Sequence, residues 1–316
     1  MSRFTDTIKP YVLPVALVLG ALFHNICGQI AFVTPYIVFT ILLLTFSAVE
    51  IKSLRLSWLD LWLALFQMTV SIGGYYLLVS LGVNYIIAQG LLIGVLCPVA
   101  ASVAVISCMM GADRRTVTTY TIVGNLMVAV VAPLYFTIVT HTGNNGTHEV
   151  TFLASFWMIL KKIGPTIGFP FFIILLLQRF LPKVNNAMAR YKGACFYLWA
   201  CALFINLGQT IDFIFLNGEG NWHVILWLGL LALLFCVIQF GFGKWLGHRY
   251  GDTIAGGQLL GQKNSSMGIW MATTFLNPLS SVFSAFYSVF QNVFNSWQLW
   301  YYGRKSISDK RLVISE

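Results

Sequence analysis

The chain carries about ten windows of roughly 20 mostly apolar residues, the length that an α-helix needs to cross the hydrocarbon core of a membrane. Only 9% of its residues are charged, whereas soluble proteins contain about 25%. A soluble fold is therefore excluded. We predict an all-α polytopic membrane protein with ten transmembrane helices, spanning 10–30, 35–50, 58–81, 87–110, 116–139, 162–181, 194–213, 222–246, 254–276 and 279–301.

The basic residues give these spans a direction. If the N-terminus is inside, sixteen of the 19 Lys and Arg residues fall in or beside cytoplasmic connections. No basic residue falls in the predicted outer loops around 31–34, 82–86, 140–150, 214–221 and 277–278. By the positive-inside rule we expect a multi-pass protein of the inner (plasma) membrane with both termini in the cytoplasm. Because the basic residues form no patch, the net charge of +9 indicates membrane lipids and not nucleic acid as the surroundings.

Two of the predicted spans are interrupted. Residues 97–102, with Pro98 and Ser102, break the fourth span, and residues 261–266, Gly-Gln-Lys-Asn-Ser-Ser, break the ninth. The freed backbone groups are not tolerated against lipid, so such helices normally line a cavity. Cys97 and Gly261, which open the two breaks, are 164 residues apart, and each break lies in the penultimate span of one half. This spacing predicts two inverted five-helix repeats, 1–150 and 151–316.

Lys263 stands in the second break, among other polar residues. Burying an ammonium together with amides and hydroxyls at mid-membrane costs free energy, so such residues usually have a function. The acidic residues are predicted near the membrane surfaces, in loops or in tails, so none should neutralise Lys263. A fixed positive charge beside half-helix N-termini favours an anionic substrate. We therefore predict a secondary transporter of organic anions that works by alternating access.

Several motifs resemble those of the bile acid:sodium symporter family, in their order and spacing. They are Pro35-Tyr-Ile37, Cys97-Pro98, Pro133, Gly261 with Asn264-Ser265, and the last span from Phe283 to Asn292. The resemblance implies ten spans in a panel domain and a core domain, with broken helices four and nine crossing. It also implies transport of organic anions, such as bile acids, steroid conjugates or small carboxylates, usually driven by two sodium ions.

Several sodium ligands of that family are missing here. Val103 and Ala104 replace ligand side chains in the fourth span, while Leu259 and Lys263 fall where the family carries Glu and Gln. Apolar side chains contribute little to a hard cation. We therefore predict that transport is sodium-independent and that no cofactor is required. Either a change of protonation at Lys263 couples transport to the proton gradient, or the protein is a uniporter or exchanger. In this interpretation Lys263 replaces a sodium ion, with Gln262 and Gln67, which matches a family ligand position, beside it.

The candidate substrate contacts come from several spans. Thr121 and Asn125 share one face of the fifth helix, where hydrogen bonding between helices is an equal alternative. Gln291 and Asn292 fall where the family contacts its substrates. The full set of predicted substrate-binding residues is Lys263, Asn264, Ser265, Gln291, Asn292, Ser102, Thr121 and Asn125.

Other functions stay open at this stage. A sodium-coupled organic anion symporter could take its ligands from backbone carbonyls. A channel is less favoured, because one pair of broken helices with a single lysine is typical of alternating access. The sequence has no HExxH motif, acidic pair or buried Ser/His arrangement, so we predict neither an enzyme nor a catalytic residue. Six cysteines without a CxxC pair indicate no metal site, and no oligomeric state is indicated.

Overall fold

The computed structural model describes residues 15, 18–48, 54–100, 103–143, 152–217 and 220–314. Within these ranges the chain is almost entirely helical and forms no β-strand. The helices are α1 His24–Ile30, α2 Thr34–Ser47, α3 Trp58–Ser80, α4 Tyr85–Leu96, α5 Val103–Met110, α6 Arg114–Gly143, α7 Phe152–Phe180, α8 Pro182–Arg190, α9 Ala194–Asn217, α10 Trp222–Arg249, α11 Thr253–Gly261, α12 Ser265–Phe275 and α13 Ser281–Ile314.

Several of these helices are long and apolar enough to cross a membrane. Of the described residues, four continuous segments meet that criterion, and α7 makes five if its two bent parts count as one span. The segments are His24–Ser47, Trp58–Ser80, Arg114–Thr140 and Trp222–Arg249, and the bent pair is Phe152–Thr166 with Gly168–Phe180. The predicted helical, multi-pass membrane protein is confirmed.

Helices α1 and α2 form one helical run, His24–Ser47, joined by the short 3-10 turn Ala31–Val33. A Cβ at Gly20 would meet Phe204 and Gly208 of α9, and a Cβ at Gly28 would meet Asp212 further along the same helix. Residues 20–28 therefore pack against α9. The Cys195 thiol at the start of α9 donates to the Ile41 carbonyl of α2 at 3.8 Å. The loop predicted around 31–34 is helical, so among the described residues no loop separates the predicted spans 10–30 and 35–50.

Helix α7 begins earlier than the sequence predicts. The sixth span is expected from residue 162, but the helix starts at Phe152 and runs to Phe180. It bends by 44° between Thr166 and Gly168, with Pro165 and Pro170 on either side. A proline inside a helix removes a backbone hydrogen bond and crowds the preceding turn, which accounts for the bend.

Both predicted breaks are present. Helix α4 ends at Leu96 and α5 begins at Val103, while α11 ends at Gly261 and α12 begins at Ser265. Cys97 is extended, with ψ 136°, because the following proline disfavours the helical conformation.

Close packing of α10 against α11 positions the second break. A Cβ at Gly243 or Gly247 of α10 would collide with the α11 backbone or its N-cap Asp252, and a Cβ at Gly256 would collide with α10. Small residues let two helix backbones approach closely in a membrane. Helix α11 is therefore held firmly up to the point where it ends.

Candidate functional site

The two breaks cross and hydrogen-bond to each other. Val99 and Lys263 form an isolated antiparallel bridge. On one side of it the Ala100 N–H donates to the Gln262 carbonyl at 3.2 Å, and on the other the Asn264 N–H donates to the Pro98 carbonyl at 2.8 Å. The two bonds are reciprocal, so the crossing has a local twofold relation centred on Val99 and Lys263.

A glutamine holds the carbonyl end of α4. The Gln67 amide, fully buried on α3, donates to the Leu96 carbonyl at 2.8 Å and to the Cys97 carbonyl at 3.0 Å. The Tyr120 hydroxyl of α6 in turn donates to Gln67 Oε1 at 3.1 Å. These carbonyls lost their helical partners at the break, and Gln67 satisfies them.

A tyrosine does the same for α11. The Tyr287 hydroxyl of α13 donates to the Gly261 carbonyl at 2.7 Å. The Gln239 amide of α10 donates to the Tyr287 oxygen at 3.1 Å and so fixes the direction of the hydroxyl. Protein side chains therefore donate hydrogen bonds to the last carbonyls of both half-helices, α4 and α11.

Gln291 clamps the backbone of Lys263. Its Oε1 accepts from the Lys263 N–H at 2.8 Å, and its Nε2 donates to the Lys263 carbonyl at 3.0 Å and to Ser265 Oγ at 3.3 Å. Sequence reasoning predicts Gln291 as a substrate contact. The structure directs its amide to the main chain of the second break, where it fixes the position of Lys263.

The Lys263 side chain lies inside the protein, with 1% of its surface exposed. Within the described ranges its Nζ has no hydrogen-bond partner, and no acidic side chain there forms an ion pair with it. The Asn264 carbonyl nearby is taken by its own helix and by the Cys97 thiol, at 2.9 Å. A buried ammonium without a counter-charge is costly, so the site is suited to an anion.

The remaining predicted residues of the second half mostly have structural partners. Asn264 caps α12, because its Oδ1 accepts from the Met267 N–H at 3.2 Å. The Gln262 amide donates to Gln258, whose own amide donates to Gln298 at 3.3 Å. Asn292 donates to a carbonyl of its own helix at 2.7 Å.

The predicted residues of the first half are only partly brought to the crossing. Gln67 lies at the break, but its hydrogen bonds go to carbonyls and Tyr120, and none joins it to the Lys263 amine. Thr121 and Asn125 are buried on α6 and hydrogen-bond within that helix, which leaves Asn125 Oδ1 without a partner in the described part of the chain. Ser102 lies outside the described residues.

An aspartate joins the two halves at the other end of α11. Asp252 Oδ1 accepts from the Ala255 N–H and caps α11, and its Oδ2 accepts from the Asp113 N–H at 2.7 Å. Asp113 caps α6 through Thr116. The hydrogen bonds from the Thr116 backbone and hydroxyl hold the pKa of the Asp113 carboxyl below its ordinary value. The connections before α6 and α11 are therefore fastened together.

Sequence reasoning missed Tyr120, Tyr287 and Gln239. An amide such as Gln239 in an apolar window is the signal that could have found them, since a buried amide needs a partner. A second missed feature is the hydrogen bond between His24 Nδ1 and Asp212 Oδ1, at 2.8 Å. Within the described residues no group of three or more His, Cys, Asp or Glu side chains could hold a metal ion.

The fold and the crossing agree with a sequence comparison. The model of the Sodium Bile acid symporter family matches residues 61–216. This match supports membership of the chain in this family. No curated protein matches the chain.

The symporter match runs from α3 to α9 and includes the first break. It ends before the second break and therefore does not include Lys263. The family is one of transporters, which agrees with the buried crossing of two broken helices.

Proposed function

We propose that this protein is a secondary transporter of organic anions that works by alternating access, with the Lys263 ammonium as the positive group of its substrate site. The substrates are bile acid-like or steroid-like anions or small carboxylates. The observation that carries the proposal is a buried lysine at the crossing whose amine has no partner among the described residues.

The surroundings of Lys263 favour an anion over a cation. A second positive charge close to the ammonium would be repelled by several kcal/mol at the low effective dielectric of a buried site. Helix α12 begins at Ser265, so the positive end of its dipole points back towards the crossing. The carboxylate or sulfate of an organic anion would be attracted both by the Lys263 ammonium and by the N-terminus of α12.

The hydrogen bonds at the crossing support sodium-independent transport. A sodium ion at broken helices is usually held by freed carbonyls. In this protein the carbonyls of Leu96, Cys97 and Gly261 already accept from Gln67 and Tyr287. These contacts weigh against the alternative of a sodium symporter with backbone ligands. The tethered ammonium supplies the positive charge that a sodium ion would otherwise bring.

A protonation cycle at Lys263 would supply a driving force. An ammonium pairs with the anion, whereas a neutral amine in the same cavity would release it. Proton loss or gain on alternate sides of the membrane would then couple anion movement to the proton gradient. Without that cycle the same site would serve a uniporter or an exchanger.

The reciprocal bridge supports the proposed architecture of ten spans in two inverted repeats, 1–150 and 151–316. Two half-helices related by a twofold axis in the membrane plane should meet with equivalent backbone groups. The bonds from Ala100 to Gln262 and from Asn264 to Pro98 fit that relation. On this arrangement both termini face the cytoplasm, in the inner or plasma membrane.

Uptake by proteoliposomes tests the proposal. Radiolabelled organic anions are supplied to the wild type and to Lys263→Ala, with and without sodium and over a range of pH. We expect wild-type uptake without sodium, and a loss of roughly 100-fold in uptake efficiency in Lys263→Ala, because removal of one partner of a buried charge pair is expensive. Lys161→Ala, an exposed lysine of α7, is the matched control and should retain uptake. Unchanged, sodium-dependent uptake in Lys263→Ala would overturn the proposal.

A further inference from the structure

A glutamine and a tyrosine satisfy the carbonyl end of each half-helix. Gln67 of α3 and Tyr120 of α6 serve α4, while Gln239 of α10 and Tyr287 of α13 serve α11. In the first pair the glutamine contacts the carbonyls and the tyrosine supports it. In the second pair the tyrosine contacts the carbonyl and the glutamine supports it.

The two pairs come from corresponding helices. Under the proposed repeat, α3 corresponds to α10 and α6 corresponds to α13, and each of these helices contributes one member. We call the two pairs the carbonyl caps. Both halves carry such a pair, although the residue that contacts the carbonyl is a glutamine in one half and a tyrosine in the other. We infer from this repetition that the caps serve the crossing itself.

The carbonyl caps and Lys263 belong to the same crossing. Lys263 forms the bridge with Val99, two residues after Cys97, and it follows Gly261 by two residues. Free carbonyl oxygens are strong acceptors, and those at helix C-termini also carry the negative end of the dipole. If the caps were absent, these oxygens would compete with any external anion for the ammonium.

We propose that Gln67 and Tyr287 are positioning residues of the transport site, which keep the Lys263 ammonium available by occupying the carbonyl ends of both half-helices. This inference rests on the proposed anion site at Lys263. Neither residue has to touch the substrate. Each acts through the carbonyls that it removes from competition.

The transport assay compares cap variants with matched controls. Tyr287→Phe deletes one hydroxyl and frees the Gly261 carbonyl, and Gln67→Leu frees two carbonyls. Each should raise the KM for the anion about tenfold with kcat within about twofold, since one internal hydrogen bond would now compete with binding. Tyr85→Phe removes an exposed hydroxyl that accepts from Asn277 Nδ2 at 3.4 Å, at the end of α4 opposite the break, and should leave KM unchanged. A fall in kcat at unchanged KM in both cap variants would overturn the inference.

A thermal unfolding cycle tests the inference without any substrate. Lys263→Met should raise the Tm of the otherwise unaltered protein, because it removes a buried ammonium that has no internal partner. In the Tyr287→Phe background the same change should lower the Tm, because the ammonium would by then hydrogen-bond to the Gly261 carbonyl.

Equal Tm shifts in the two backgrounds would overturn the inference, as a purely structural tyrosine would give that result. The cycle is measured on purified full-length protein in detergent and does not depend on transport. If the wild type failed to take up anions, the proposed function would fail, while the cycle would still show whether the cap controls the amine.

Discussion

The two breaks share one backbone geometry but differ at the centre of the bridge. Val99 of the first break and Lys263 of the second face each other, and both are 1% exposed. Val99 contributes a small apolar side chain, whereas Lys263 contributes an ammonium, and Gln291 clamps its backbone. The comparison shows that one backbone pairing carries an apolar side chain from the first break and, from the second, a buried amine without a partner among the described residues.

The largest effect that we expect on stability comes from Gln291→Leu. It leaves the buried Lys263 N–H without its acceptor and removes one donor from the Lys263 carbonyl, which should lower the free energy of unfolding by about 2–3 kcal/mol. Asn125→Leu on α6, whose amide bonds only within its own helix, should cost less than about 1 kcal/mol. Thermal unfolding in detergent measures both. Equal losses of unfolding free energy in the two variants would contradict the asymmetry between the two halves.

Alanine substitutions of the glycines near the two breaks should have an intermediate effect on stability, and they test whether both breaks are equally well packed. A methyl group at Gly94 would overlap the ring of Phe283, and one at Gly261 would overlap the ring of Phe240. Gly94→Ala and Gly261→Ala should each lower stability by about 1–3 kcal/mol through overpacking. Gly241→Ala on α10, where a methyl would meet no atom within 4 Å, is the control and should be neutral or stabilising. A cost at only one of the two breaks would show that their packing is not equivalent.

The smallest effect concerns the cap of α12. Asn264→Ala should lower stability by about 1 kcal/mol, the ordinary cost of losing an N-cap. Asn84→Ala removes the N-cap of α4 away from the crossing and should cost about the same. Thermal unfolding decides, and an Asn264→Ala protein as stable as the wild type would show that this side chain is not needed as a cap.

The fold could be predicted from the sequence where a single physical requirement determines the structure. Apolar length defined the helices, and the polar run from Gly261 to Ser266 marked a break because such groups are not left against lipid. The start of α7 at Phe152 was missed, since an apolar stretch before two lysines fits a surface segment as well as a helix.

The site was only partly readable, because its hydrogen bonds join residues far apart in the chain. Lys263 stands out as a charge among apolar residues, so its importance could be predicted. The partners of Gln67 and Tyr287 depend on how four helices meet, and no spacing in the sequence encodes that. Gln291 was therefore predicted as a substrate contact, although its amide is directed to the backbone of Lys263.

The most direct test of the central claim is an experimental structure determined with a bromine-labelled carboxylate in a sodium-containing buffer. Anomalous scattering from bromine would locate the anion. We predict its carboxylate at salt-bridge distance from Lys263 Nζ, with the carbonyls of Leu96, Cys97 and Gly261 still bound by Gln67 and Tyr287. A sodium ion on those carbonyls, or a carboxylate bound away from Lys263, would contradict the account.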